Sequence, residues 1–99
     1  MQIQNEAYAT VTNIVWDFMF VQIISDVLQN KTLEYKIFSL DDKLIRKGHF
    51  EGPIIQLRLS HIQEGNYIFQ LYLNNIQLQQ VPFEKRAGFT NQVHYLNEE

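Results

Sequence analysis

The sequence predicts an all-β fold: an antiparallel sandwich of immunoglobulin or fibronectin type with about seven strands. Three observations carry this expectation. Apolar and polar residues alternate in short runs between Thr32 and Phe83, the runs are rich in β-branched and aromatic side chains, and compact turn signals separate them. Strands this apolar need a second layer to cover them, which argues against a lone sheet. At 99 residues the chain has material for one domain, residues 1–99, in which 88–99 read as a polar tail or an edge strand.

The clearest element is Thr32–Ser39, where Leu33, Tyr35 and Ile37 alternate with Glu34 and Lys36. Leu40-Asp41-Asp42-Lys43 then reads as a tight turn with left-handed backbone at Asp42 or Lys43, and Leu44–Phe50 as the returning strand. After the Gly52-Pro53 break, Ile55, Leu57 and Leu59 point inward while Gln56 and Arg58 point outward. Tyr67, Phe69, Leu71 and Leu73 share one face of the next strand. Asn74-Asn75 suits a hairpin turn, because Asn tolerates positive φ. Ile76–Phe83 returns, with Pro82 favouring a strand end or a sheet edge.

The first third is less sharply patterned. Ala7–Trp16 and Phe18–Val27 read as two strands with a kink near Asp17 and a closing turn at Gln29-Asn30-Lys31. The spacing of Val11, Ile14, Val15, Phe18, Val21 and Ile24 also permits a helix across residues 11–28. Their β-branched and aromatic character favours strands.

Composition narrows the function. The chain is 45% hydrophobic, 13% aromatic and 19% charged, an ordinary globular balance and not that of a disordered segment. A net charge of −3 argues against a nucleic-acid partner, which requires a basic footprint. The absence of cysteine removes disulfides, thiolate nucleophiles and cysteine-ligated metals. Met1–Glu6 shows no basic segment followed by an apolar run, the pattern of a leader peptide. The longest apolar stretch, Ile14–Leu28, is interrupted by Asp17, Gln22, Ser25 and Asp26, so no transmembrane segment is expected.

The most specific motif runs from Leu57 to Phe69. A strand, an apolar-anchored corner, a glycine and then a tyrosine opening the next strand form the pattern of a tyrosine corner, in which the phenol bonds back to upstream backbone. Leu59, Ile62, Gly65 and Tyr67 are its structural residues. Gly65 supplies the unusual φ and Ile62 plugs the end of the core.

Tyr35–Ile45, Ile55–Leu57 and Leu59–Phe69 together resemble the C-terminal sorting domains of the Bacteroidetes type IX secretion system. The resemblance spans about residues 18 to 86. It extends equally to small periplasmic or surface sandwich domains of unknown function from gut Bacteroides. It implies a periplasmic, surface or secreted location. It also implies a non-catalytic domain recognised as a folded shape by the secretion machinery or another protein partner, through a sheet face or an edge strand.

Residues capable of chemistry are few and scattered. His49, His61 and His94 lack the close companions of a local metal pair and read as exposed. Asp41 and Asp42 read as a solvated turn, not a Ca²⁺ site. Ser60-His61 is not a nucleophile pair, Asn30-Lys31-Thr32 is a chance sequon, and Lys85-Arg86 reads as a solvated strand end. No cofactor is expected. Trp16, Phe18 and Phe20 fall on one strand face, where core packing is the commoner fate and a partner-facing platform the alternative.

Three functions follow, in order. The first is the non-catalytic protein-recognition module. The second is a free-standing periplasmic or secreted protein that binds carbohydrate or polypeptide; an edge strand would also allow homo-oligomers. The third is a small enzyme using Glu34, Asp41 or Glu64, which would need those carboxylates to converge in a cleft.

Overall fold

A computed structural model describes residues 8–87. Eight strands follow in order: β1 (Ala9–Val11), β2 (Ile14–Val15), β3 (Phe18–Ile23), β4 (Thr32–Ser39), β5 (Leu44–Glu51), β6 (Ile54–Arg58), β7 (Gly65–Leu73) and β8 (Ile76–Lys85). They form a three-stranded sheet, β1-β3-β6, packed on a five-stranded sheet, β2-β8-β7-β4-β5. The fold is the expected all-β sandwich, with eight strands instead of about seven. The tail at residues 88–99 lies outside the described residues.

The additional strand comes from the first third. The single strand expected over Ala7–Trp16 breaks at Thr12 and Asn13 into β1 and β2, which join opposite sheets. Thr12 makes the break possible: its hydroxyl accepts the Phe20 N–H at 2.9 Å, and its own N–H donates to the Phe20 carbonyl at 3.1 Å. The side chain thus replaces one rung of the ladder and frees the backbone to cross over. β2 pairs parallel to β8 through Ile14–Glu84 and Val15–Lys85, so the larger sheet is not wholly antiparallel as expected.

The helical alternative over residues 11–28 does not form. Met19, Val21 and Ile23 are 0%, 0% and 3% exposed while Phe18, Phe20 and Gln22 face out, a period of two that only a strand produces. β3 ends at Ile23, earlier than Val27, and a 3-10 turn at Asp26–Leu28 drops Leu28 into the core. The turns fall at the Asn and Asp positions: φ is 68° at Asn30, 67° at Asp42, 52° at Asn74 and 70° at Asn75. Two consecutive left-handed residues make Asn74-Asn75 the type of two-residue loop that matches strand twist.

Between the sheets, Met19, Val21, Ile23 and Leu57 meet Leu33, Tyr35, Ile37, Phe69, Leu71 and Phe83. Burying each large side chain contributes about 1.5–3 kcal/mol. Tyr35 stacks on Phe69 with ring centroids 6.0 Å apart and planes within 9°. Its ring spreads over Gly48 on β5, where a Cβ would lie 2.9 Å from Tyr35 Cε2, so glycine leaves the room the ring occupies.

Both flanks of the sandwich are closed by side chains that cross between sheets. On one, the Gln79 amide accepts the N–H groups of Tyr8 (2.8 Å) and Ala9 (2.9 Å) and donates to the Ala9 carbonyl at 2.9 Å. A primary amide here imitates a neighbouring strand, satisfying the start of edge strand β1. On the other, Arg46 of β5 donates through Nη1 to the Arg58 carbonyl at the end of β6, at 2.7 Å. Pro82 lies in the part of β8 whose outer side carries no partner strand among the described residues, where a missing N–H costs nothing.

Candidate functional site

The corner between β6 and β7 sets the frame. Leu59 is fully buried, its N–H bonds the Asp17 carbonyl at 2.7 Å, and Ile62 closes the turn with an N–H to Leu59 O at 3.2 Å while packing on the core. Gly65 has a φ of 149°, outside what a side chain tolerates. The Tyr67 hydroxyl then donates to the Gln63 carbonyl at 2.6 Å, and its ring stacks on Phe83 at 5.6 Å. Burial pushes the Tyr67 phenol above its usual pKa. These residues carry structure, and the chain they turn delivers Arg58 to the outer face of the smaller sheet.

That outer face holds the candidate site. Trp16, Phe18 and Phe20 are 44%, 41% and 49% exposed, so the core packing expected of the commoner fate does not occur. The reason is register. β3 is the central strand of its sheet, and its inward side is already filled by Met19, Val21 and Ile23. Pairing with β6 sets Phe18 beside Arg58, Phe20 beside Gln56 and Gln22 beside Ile54, which is 55% exposed; β1 adds Thr10. Trp16 lies in the bend between β2 and β3, with the Arg86 guanidinium 6.0 Å from its ring centroid.

The electrostatics of this face are one-sided. Its outward strand positions hold a single charge, Arg58, and no carboxylate. Arg58 donates from Nε to Ser60 Oγ at 3.1 Å, but no carboxylate pairs with it among the described residues. Arg86, in contrast, is paired with Glu84 at 3.1 Å. Sequence reasoning picked out the aromatics and missed Ile54 and Arg58 as their neighbours, since only strand register brings the two segments together. Alternation alone would have marked Ile54 as outward.

The outer face of the five-stranded sheet is built differently. Lys36 lies over the Tyr72 ring at 4.6 Å, Tyr72 donates its hydroxyl to Gln70 Oε1 at 2.6 Å, and Gln70 donates onward to Gln80 Oε1 at 3.1 Å. These amides, with Phe38, Leu40 and Ile68, line a depression of about 350 Å³.

The remaining candidates stay apart. Glu34 sits within β4 opposite His49 and Tyr72, Asp41 is in the β4–β5 turn, and Glu64 precedes β7, so the three do not share one cleft. The Ser39 hydroxyl, backbone bonding and nearby Lys43 hold Asp41 below the usual carboxylate pKa. No group of three metal-ligating side chains occurs among the described residues. His49 and His61 are exposed, and His94 lies outside the described residues. Asn30 occupies an exposed turn. Lys85 is a correction: it is 2% exposed, not solvated, because alternation along β8 turns it inward opposite Gly65, where its ammonium donates to the Arg86 carbonyl at 3.2 Å. Among the described residues no helix is long and apolar enough to cross a membrane. In comparison with known proteins, the chain matches no family model and no curated protein.

Proposed function

We propose that this chain is a non-catalytic β-sandwich module that acts by protein–protein recognition, as a folded domain of a secreted or surface bacterial protein. The observation that carries the reading is the exposed pair Phe18 and Phe20 on a strand whose alternate residues form the core, with exposed Trp16 in the bend just before it. Exposed clustered aromatics mark contact surfaces more often than solvated ones. The resemblance to sorting domains supports a role in export. Fusing the chain behind a leader-bearing reporter in a Bacteroidetes host tests that role. Surface display of the reporter that is lost with Phe18→Ser/Phe20→Ser is the expected result. Retention of the wild-type fusion in the periplasm would remove the sorting reading.

A second reading, carbohydrate binding, is favoured by the Tyr72–Gln70–Gln80 chain, whose terminal amide offers donors beside an aromatic-lined depression. A glycan array probed with wild type and Gln80→Ala decides it. Binding that disappears in the variant is required.

A further inference from the structure

We propose that the outer face of the β1-β3-β6 sheet holds a single extended segment of an acidic, apolar-rich polypeptide, with Phe18, Phe20 and Ile54 taking its apolar side chains and Arg58 taking a carboxylate. The inference rests on the recognition reading above and specifies its partner.

Charge selects the partner's sign. Arg58 is the one charge on the outward strand positions of this face, and its Nη groups have no carboxylate among the described residues, so an incoming Asp or Glu completes an ion pair that the fold leaves open. The outward strand positions of this face provide no carboxylate to accept from sugar hydroxyls, which disfavours a glycan here. Size selects a segment over a second folded copy. Three strands about 4.8 Å apart, of three, six and five residues, make a platform of less than about 15 by 20 Å, or under about 300 Å², well short of the ~800 Å² per partner that stable globular complexes bury. The flanking edges also discourage an added strand as the main mode: Gln79 occupies the β1 edge, and Arg46 takes the last carbonyl of β6. The open surface is therefore the face itself.

The test is a selection of random 12-residue peptides displayed on phage against the full chain. Enriched sequences are then synthesised and titrated while the fluorescence of Trp16, the chain's one tryptophan, is followed. Enriched peptides should place Asp or Glu among apolar residues. Their affinity should fall by about tenfold in Phe20→Ser and in Arg58→Gln, and should weaken with added salt. Ile76→Ser, which removes an exposed apolar residue of β8, should leave affinity unchanged. Thermal midpoints confirm that each variant folds, and Arg58→Gln remains informative should Phe20→Ser not fold. Peptides that are basic or uncharged, or that bind Phe20→Ser and Arg58→Gln as well as wild type, overturn the proposal, as does a selection without enrichment. A glycan array run on the same proteins separates two failures. Saccharide binding lost in Phe20→Ser overturns the polypeptide assignment and preserves this face as a recognition surface. A face that binds neither probe class removes both.

Discussion

The two outer faces of this sandwich are made from the same kind of alternating strand and end differently. On the five-stranded sheet, Lys36, Tyr72, Gln70 and Gln80 are linked to one another in a chain of polar contacts. On the three-stranded sheet, Phe18, Phe20 and Ile54 stand exposed around an arginine that lacks a carboxylate among the described residues. Exposed apolar residues occur on both sheets, Ile14, Leu44 and Ile76 on the larger one, but Phe18 and Phe20 alternate along one central strand beside Arg58, while both inner faces are closed to within a few per cent.

The comparison breaks most easily on the inward side of β3. Met19→Ala should cost about 2–5 kcal/mol in chemical denaturation, because the side chain is fully buried and its removal leaves a cavity. A loss near zero would mean that the inward and outward sides of β3 are energetically alike. Gly65→Val should cost about 1–3 kcal/mol, since valine must adopt a φ of 149°. An unchanged thermal midpoint would show that the corner relaxes.

Tyr67→Phe should cost about 1 kcal/mol through loss of the bond to Gln63. Its pH dependence sharpens the assignment. The folded phenol has a raised pKa, so its contribution is complete below the unfolded value of about 10 and is lost as pH rises through the folded one. Denaturation at pH 7 and at pH 11 should therefore show the gap between wild type and Tyr67→Phe closing in alkali.

The smallest effects belong to the outer faces. Gln70→Ala should cost about 0.5–1.5 kcal/mol by interrupting the polar chain. Phe18→Ser should cost about 1 kcal/mol or less, because much of the ring is already in water. A cost of several kcal/mol there would show that the exposed aromatics are core after all, and the contact-surface reading would lose its basis.

Much of the fold was legible because strand alternation and turn chemistry are local. β4, β7 and β8 fall close to the runs that predict them, and positive φ occurs at Asp42, Asn74 and Asn75 where short polar residues permit it. The first third was less legible. The division of Ala7–Trp16 between two sheets depends on Thr12 bonding to Phe20, a contact that no residue pattern announces. The candidate site was half legible: its aromatics form one row in sequence, whereas Ile54 and Arg58 arrive from another strand.

By itself the sequence determined that the chain is all-β, where most strands lie and which residues alternate, because a period of two and the conformational limits of Asn, Asp and Gly act within a few residues. The tertiary structure decided which side of β3 meets the core, that Lys85 turns inward, and that Gln79 and Arg46 fasten the sheets together. Each of these depends on pairing register and sheet order, which bring together residues up to 71 positions apart and are set only when the two layers close on one another.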